Sequence, residues 1–369
     1  MGIAALGKDQ IKAVEVLGGR NNYNGGQSDA DGEVMSDIEV VHSLAPAAKI
    51  LVFFAPNSGM NGYEVYKLAA ARADIISISW GSAESYESSM INNILAKASI
   101  TGATIFAASG DNGAYDRTEE LTVDFPASSP HAIAVGGTKL IVSSSGQVKK
   151  EISWGNEQTF IEAQSGHQSS ISGSGGGFSQ DFNIPQYQSS STQKYDNFCK
   201  STDFNIPQGY TAKLGVPDVS ANADPYTGYA TTISGKWTFI GGTSLSTPLW
   251  AALFARCNQK FGDNLAKHIH LHKELYELGK KGVGFTDITQ GNNGYYEAKQ
   301  GWDAVTGLGS PKGEQLCNEL IAIANAAKTA KGESASSSTS TTTVGLDSGE
   351  EMKDSAGISG NGSDAKDEL

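Results

Sequence analysis

Helix patterns and short apolar runs alternate between residues 31 and 138, and this alternation restricts the fold more than any other feature. In chain order the segments are a helix pattern at 32–44, an apolar run at 50–54, a helix pattern at 62–73, an apolar run at 75–79, a helix pattern at about 86–100, and apolar runs at 104–108 and 132–135. Apolar strands separated by helices are typical of a parallel sheet that is covered on both faces. The sequence therefore predicts an α/β fold with a doubly wound, mostly parallel sheet.

The composition changes twice after residue 138. From 139 to 215 the chain is rich in Gly, Ser, Gln and Asn, which predicts a loop-rich insertion. Beyond residue 327 it has no aromatic residue, so it cannot bury enough apolar area to offset chain entropy. We expect a single domain over 1–327, closed by a helix at about 312–327, and a disordered Ser/Thr/Gly-rich tail over 328–369.

Charge and hydropathy exclude several classes of protein. A formal net charge of -13 opposes binding to nucleic acid or to anionic membranes. No apolar run approaches the roughly 20 residues that span a bilayer, so we expect no membrane insertion. The segment 1–8 lacks a basic region followed by a long apolar stretch, which predicts no signal peptide. The last four residues, 366–369, spell Lys-Asp-Glu-Leu, a retrieval signal of the endoplasmic reticulum lumen.

The octapeptide Gly-Gly-Thr-Ser-Leu-Ser-Thr-Pro at 241–248 lies between an apolar run at 236–240 and an Ala-rich helix pattern that starts at residue 249. A serine at a strand-to-helix junction can project from a tight turn near the positive end of the helix dipole, which suits a nucleophile. No histidine of the chain stands in a His-Gly-Thr motif that would activate such a serine. Another group must therefore act as its base.

Carboxyl groups occur at positions that would suit such a base. Glu33 and Asp37 are four residues apart on one face of the first predicted helix. Asp111 follows the strand 104–108, and ligand-contacting groups gather at the carboxyl ends of parallel strands. Taken alone, the pair is more often a solvated acidic surface, and Asp111 is more often an Asx turn.

Six motifs together carry a family resemblance. In chain order they are Gly-Glu-Val-Met-Ser-Asp-Ile-Glu-Val (32–40), Ile-Ser-Trp-Gly (78–81), Ala-Ser-Gly-Asp (108–111), Val-Asp-Phe-Pro (123–126), Val-Pro-Asp-Val-Ser (216–220) and Gly-Gly-Thr-Ser (241–244). From about residue 13 to 325 the chain resembles the sedolisins, the serine-carboxyl peptidases. The resemblance implies a subtilisin-like fold and a monomer that hydrolyses polypeptides.

The resemblance also assigns the catalytic groups. It makes Ser244 rather than Ser246 the nucleophile, Glu33 the general base and Asp37 the group that hydrogen-bonds to Glu33 and orients it, and it puts Asp111 in the oxyanion hole. A carboxylate is a suitable base for serine at about pH 3–5, and Asp111 can donate a hydrogen bond only when it is protonated. We therefore expect an acid-acting endopeptidase or tripeptidyl-peptidase.

The same resemblance implies substrate contacts. It places Trp80 and Gly81, and the glycines Gly175 and Gly176, along the substrate backbone, where the lack of a side chain permits close approach. Asp124 would face a specificity pocket and favour basic or polar side chains.

A calcium site is implied by the resemblance as well. One Ca²⁺ would be held by the side chains of Asp287 and Asp303 and by the carbonyls of Ile288, Lys299 and Gly301. Without the resemblance, two Asp-capped turns are the simpler interpretation. His268, His270 and His272 alternate along the chain, but they lack a carboxylate partner at matching spacing and do not predict a metal site.

The resemblance is incomplete at the ends of the chain. Sedolisins are made as secreted zymogens with a signal peptide and a prodomain, and their catalytic domain starts with a strand that the matched part lacks. We expect a lumenal, lysosome-like or extracellular location and a sheet with an exposed edge. The alternatives are a catalytically silent lumenal binding protein on the same scaffold and a neutral-pH subtilisin-type hydrolase.

Cysteine pairing stays open at this point. Cys257 and Cys317 lie in two helix-like segments and are either paired or buried as free thiols. Cys199 is the third cysteine and would be left over in either case.

Overall fold

The structure is a computed structural model. It describes residues 7, 9–23, 29–56, 61–85, 88–155, 172–189, 213–233, 235–330 and 332. The helices are α1 (Asp29–Leu44), α2 (Asn61–Arg72), α3 (Ser88–Ile100), α4 (Gln186–Ser189), α5 (Thr243–Phe261), α6 (Leu271–Lys280) and α7 (Gly313–Ala330). The strands are β1 (Ile11–Glu15), β2 (Ile50–Phe54), β3 (Ile75–Ile78), β4 (Ser82–Ala83), β5 (Thr104–Ala108), β6 (Asp124–Phe125), β7 (Ile133–Val142), β8 (Val148–Ser153), β9 (Gly177–Asn183), β10 (Lys213–Val216), β11 (Val219–Asn222), β12 (Tyr229–Ile233), β13 (Lys236–Ile240), β14 (Phe285–Thr286) and β15 (Ser310–Pro311).

The central sheet is mostly parallel, as predicted. Its strands run in the order β11-β7-β5-β3, all in parallel, and β8 is added antiparallel to β7. β5 and the first half of β7 are buried along their length and mostly apolar, because both faces of the sheet are covered there. On one face Phe106 packs against Trp250 and Phe254 of α5, and on the other Ile105 and Ala107 pack with residues of α3. The carboxyl ends of β3 and β5 therefore lie beside the start of α5.

A second, smaller sheet is separate from the central one. β1 and β2 form a parallel two-stranded sheet, and in the described part of the chain neither strand is hydrogen-bonded to β3. A cavity of about 2400 Å³ lies between this small sheet and β3, and side chains of β1, β2, β3, α1 and α5 line it. All five residues of β2 are apolar, yet each of them remains partly exposed. The expected exposed edge is therefore present at β3.

Two segments differ from the prediction. The region 139–215 is not simply a loop, because β7 continues to Val142 and β8, β9 and β10 follow it in the described parts. Helix α5 begins at Thr243, so the octapeptide contributes the first turn of the helix rather than only a turn before it. The final helix α7 ends at Ala330, and the rest of the predicted tail lies outside the described residues apart from residue 332.

A disulfide bond connects α5 and α7. Cys257 and Cys317 are both buried and are bonded to each other, with their Cα atoms 5.2 Å apart. Of the two possibilities that the sequence left open, the paired one is therefore present. Cys199 lies outside the described residues. None of the helices in the described ranges combines the length and the apolar character that crossing a bilayer requires.

Candidate active site

Two serines of the octapeptide occupy very different surroundings in the first turn of α5. Ser246 is fully buried and its hydroxyl donates to the carbonyls of Ala221 and Asn222, each at 3.1 Å. Ser244 is partly exposed. Its hydroxyl donates a long hydrogen bond, 3.4 Å, to the carbonyl of Ser79, and it is close enough to Glu33 to lower the pKa of that carboxyl. Of the two hydroxyls, that of Ser244 is the one a substrate can reach.

Asp111 is bound to the N-terminus of α5. Its Oδ1 accepts hydrogen bonds from the backbone N–H of Thr243 at 2.7 Å and from the Thr243 hydroxyl at 2.8 Å. Gly242 precedes the helix with φ +116°, and a Cβ there would lie 2.7 Å from Oδ2 of Asp111. A side chain at residue 242 would therefore displace the carboxyl. Because Oδ1 accepts both bonds, Oδ2 is left to carry a proton when the carboxyl is neutral.

Glu33 and Asp37 face the serine from α1, and Ser79 lies between the two elements. The Ser79 hydroxyl donates to Oδ1 of Asp37 at 3.0 Å and also lies 3.2 Å from the carbonyl of Ser244. Among the described residues no hydrogen bond joins Asp37 directly to Glu33, so the expected direct contact is replaced by the bond to Ser79. Oε1 of Glu33 is buried and has no hydrogen-bond partner in the described part of the chain.

The acids of the site hold their protons more tightly than ordinary carboxyl groups. Burial raises the pKa of Glu33, although the nearby Ser244 and Ser79 hydroxyls lower it. Burial also raises the pKa of Asp37 well above its usual range, and the neighbouring Glu33 raises it further. Burial raises the pKa of Asp111 despite the two bonds from Thr243. The site therefore favours neutral carboxyl groups at low pH.

The arrangement matches a known group of proteins. Residues 12–275, more than half of the chain, match the Subtilase family. The chain belongs to the subtilases. The solved structure of Pseudomonas sedolisin, a serine-carboxyl proteinase complexed with two molecules of pseudo-iodotyrostatin, superposes with a TM-score of 0.70 at 25% identity, covering 86% of this chain and 85% of that one.

Curated relatives place the chain among the sedolisins within that family. It is 39% identical over 339 residues to kumamolisin from Bacillus sp. (strain MN-32), covering 86% of this chain and 56% of kumamolisin. It is 30% identical over 249 residues to tripeptidyl-peptidase 1 from Canis lupus familiaris, covering 63% of this chain and 39% of that protein. The chain thus spans about half the length, or less, of these curated relatives.

The other predicted substrate residues of this sedolisin lie near the serine, but in different surroundings. Trp80 is 56% exposed and Gly81 follows it at the surface. Asp124 is buried in β6, and its Oδ2 fills the space where a Cβ of Gly110 would stand. Burial and the neighbouring Asp116 raise the pKa of Asp124 well above its usual range. Asp124 is therefore a buried acid next to Gly81 and Gly110, close enough for the charge of Asp111 to affect it.

Gly175 and Gly176 are buried, and their polar backbone groups are used inside the protein. The N–H of Gly175 donates to the carbonyl of Gly110 at 2.8 Å, and the carbonyl of Gly175 accepts from the Ser109 hydroxyl at 2.8 Å. A Cβ on Gly176 would overlap the carbonyl of Ala304. The segment with these glycines is therefore packed against residues next to Asp111. This differs from our expectation that its backbone forms a free edge that pairs with the substrate.

The predicted calcium residues converge on one turn. Asp287 accepts from the N–H of Gly301 at 2.9 Å, and Asp303 accepts from the N–H of Lys299 at 3.1 Å. Ile288 is buried beside them, and Gly301 has φ +83°. Asp303 is fully buried, and the described residues form no ion pair with it. A buried carboxyl, a second carboxyl and nearby carbonyls are hard oxygen donors of the kind that calcium takes, so the residues fit the ion.

Of the three alternating histidines, His270 and His272 lie together, with ring centroids 6.2 Å apart and both rings against Tyr187. His268 pairs with Asp263 at 2.7 Å, and Nε2 of His272 is 3.0 Å from the carbonyl of Ala132. His270 precedes α6, and its Nδ1 accepts from the N–H of Lys273 at 3.3 Å. In the described part of the chain no cluster of three or more His, Cys, Asp or Glu side chains could hold a metal ion.

Proposed function

We propose that this chain is an acid-acting serine-type peptidase that forms an acyl-enzyme on Ser244. The observation that carries the proposal is the meeting of three elements at the first turn of α5. The accessible Ser244 stands there, with Glu33, Asp37 and Ser79 on one side and Asp111 on the other. Since the chain spans only part of its relatives, their activity is transferred here as a hypothesis.

In the acylation step the Ser244 hydroxyl attacks the scissile carbonyl carbon, and its proton passes to Glu33. In its ionised form Glu33 has an acceptor, Oε1, that is not engaged by any described residue, so it can take this proton once the hydroxyl turns away from the Ser79 carbonyl. Glu33 then donates the proton to the leaving amine as the tetrahedral intermediate collapses. Asp37 acts through Ser79, which it orients.

The negative charge on the intermediate requires hydrogen-bond donors. Asp111 supplies one through Oδ2–H when it is neutral, and the backbone N–H of Ser244 in the first turn of α5 supplies another. Deacylation repeats the steps in reverse, with Glu33 accepting a proton from the attacking water. Because an ionised Asp111 would repel the oxyanion, activity should fall as the pH rises through the pKa of Asp111.

A structural calcium ion is part of the proposal. Asp287 and Asp303 would hold it with their carboxylates, and Ile288, Lys299 and Gly301 with their carbonyls. The ion would supply only a positive charge beside buried Asp303 and would take no part in the chemistry. The acid range of the proposed chemistry supports an acidic compartment of the secretory pathway.

Proteolysis of a denatured protein between pH 2.5 and 8 tests the proposal. The wild type should have a maximum on the acid side of neutrality, and Ser244→Ala and Glu33→Ala should each lose at least about 10³-fold in kcat/KM. Ser246→Ala is the matched control, because it removes a buried hydroxyl from the same turn and should reduce stability rather than chemistry. A maximum near neutrality would favour the subtilisin-type alternative, and an inactive folded wild type would favour the silent scaffold.

Asp124 is proposed to select substrate side chains. A buried carboxyl next to Gly81 and Gly110 would favour basic or polar substrate side chains that approach these glycines. Cleavage of a peptide library by Asp124→Ala tests this role. A cleavage profile identical to that of the wild type would contradict it.

A further inference from the structure

One carboxylate joins two segments that flank the active site. Oε1 of Glu84 accepts from the Ser179 hydroxyl at 2.5 Å, and Oε2 accepts from the backbone N–H of Gln180 at 2.7 Å. The Ser179 hydroxyl in turn accepts from the N–H of Phe182 at 2.8 Å. Hydrogen bonds to a charged acceptor are stronger than those between neutral groups. Both oxygens of Glu84 are thus engaged by one short stretch of β9.

The backbone of Glu84 is fixed on the opposite side. Its N–H donates to the carbonyl of Val123 at 3.2 Å, directly after the pairing of β4 with β6. Trp80 and Gly81 immediately precede β4, and Asp124 belongs to β6. Residues 80–84 and β6 thus form one wall beside the site, and Glu84 extends from this wall, which also carries the exposed Trp80.

β9 belongs to the other wall. It starts at Gly177, directly after the glycines that are bonded to Ser109 and Gly110 beside Asp111. In the described residues β9 pairs only with β10 and does not join the central sheet. The position of its middle residues therefore depends on side-chain contacts. Phe182 stacks on Phe125 of β6, Nε2 of Gln180 donates to the carbonyl of Leu121, and the bonds to Glu84 are the ones that engage a carboxylate.

We propose that Glu84 is a positioning residue that fixes the separation of these two walls, and thereby the binding of the substrate residues that extend beyond the scissile bond. The proposal rests on the peptidase function proposed above. Glu84 does not touch the reacting atoms, so its loss should weaken binding of long substrates and leave the chemistry of short ones intact. A purely structural role would instead reduce the active fraction and affect all substrates equally.

Steady-state kinetics with an octapeptide and a tripeptide that share a scissile bond test this difference between long and short substrates. For Glu84→Ala we expect kcat/KM for the octapeptide to fall about tenfold through KM, and kcat/KM for the tripeptide to change less than about twofold. Glu84→Gln keeps one acceptor for Gln180 and should give an intermediate loss. Ser179→Ala should reproduce part of the effect and add little to Glu84→Ala. Glu277→Gln, which removes an exposed charge on α6, is the matched control.

Hydrogen exchange supplies a readout that does not depend on activity. The amides of Gln180 and Phe182 should exchange faster in Glu84→Ala, while those of β5 should stay as in the wild type. Equal losses for both peptides, or unchanged exchange in β9, would overturn the proposal. A folded wild type without peptidase activity would overturn the proposed function, whereas the exchange experiment would still decide whether Glu84 holds β9.

Discussion

The Ser79 hydroxyl donates a hydrogen bond to Oδ1 of Asp37 at 3.0 Å. The same residue accepts the hydrogen bond of the Ser244 hydroxyl through its carbonyl. The residue after β3 is therefore in contact with both an acid of α1 and the serine of α5. This links the acids of α1 to the accessible serine of α5 without a histidine.

Replacing Ser79 should move the acid limb of the pH profile. The Ser79 hydrogen bond lowers the pKa of both Glu33 and Asp37, so Ser79→Ala should raise both values. Glu33 would then be protonated at a higher pH, and the acid limb of kcat/KM should shift upward, with a loss of about 10–100-fold at the optimum. Ser77→Ala, at an exposed position of β3, is the control. An unshifted limb would contradict the role of Ser79.

Asp111→Asn should remove the alkaline limb. The amide can still accept from Thr243 through Oδ1, and its Nδ2 donates at every pH, so the requirement for protonation disappears. Activity should persist toward neutral pH, at a reduced maximum. Asp111→Leu, which removes the donor, should lose about 10²–10³-fold in kcat. An Asp111→Asn variant that still loses activity at the wild-type alkaline limb would refute the assignment of Asp111 to the oxyanion hole.

The protein should be more stable in acid than at neutral pH. Burial raises the pKa values of Glu33, Asp37, Asp111, Asp124 and Asp218 above those of the unfolded chain. The stability that each contributes is present below its unfolded pKa of about 4 and is lost as the pH rises through its folded pKa. Tm should therefore decrease between about pH 4 and pH 8.

Asp124→Asn tests whether a buried carboxyl group causes this decrease in Tm. Oδ1 of Asp124 is buried and is not hydrogen-bonded by the described residues, so a neutral amide of the same shape should retain the acid-form stability and reduce the decrease in Tm at higher pH. Differential scanning calorimetry across the pH range measures the slope. A slope equal to that of the wild type would rule out Asp124 as a contributor.

Removal of calcium should lower Tm. An ion that binds only the folded state adds stability in proportion to the logarithm of its concentration over Kd, so a chelator should reduce Tm by several degrees and added Ca²⁺ should restore it. Asp287→Asn should have a lower Tm from the start and should respond less to the chelator. A wild type that is insensitive to chelation at matched ionic strength would count against the site.

The sequence predicted the central elements well where burial dominates. The run 104–108 is buried along its whole length and is apolar after Thr104, because the sheet is covered on both faces there. The start of α5 at Thr243 was missed, because Gly-Gly-Thr-Ser has a low intrinsic preference for helix and the turn is held by Asp111. β8 and β9 were missed because their composition is polar.

The candidate site was predicted through motifs rather than through geometry. Glu33, Asp37, Asp111 and Ser244 each stand in a motif that names them, and the fold brings these motifs to one end of α5. Ser79 also lies within a motif, Ile-Ser-Trp-Gly, but nothing in that motif distinguishes its hydroxyl as a partner of Asp37. That contact arises only when the end of β3 is placed against α1. Glu84 was missed for the same reason, because its contacts with Ser179 and Gln180 arise only when β9 is placed beside β4.

The cavity between β2 and β3 leaves the small β1–β2 sheet without strand pairing to the central sheet among the described residues. α1, with Glu33 and Asp37, packs on α5 and beside β12, while the adjoining strands β1 and β2 share no ladder with the central sheet in the described structure. Opening at this boundary would break few backbone hydrogen bonds, so it requires less free energy than global unfolding. On heating, the β1–β2 sheet should therefore separate first, while α1 stays packed on α5 and keeps Glu33 and Asp37 beside Ser244.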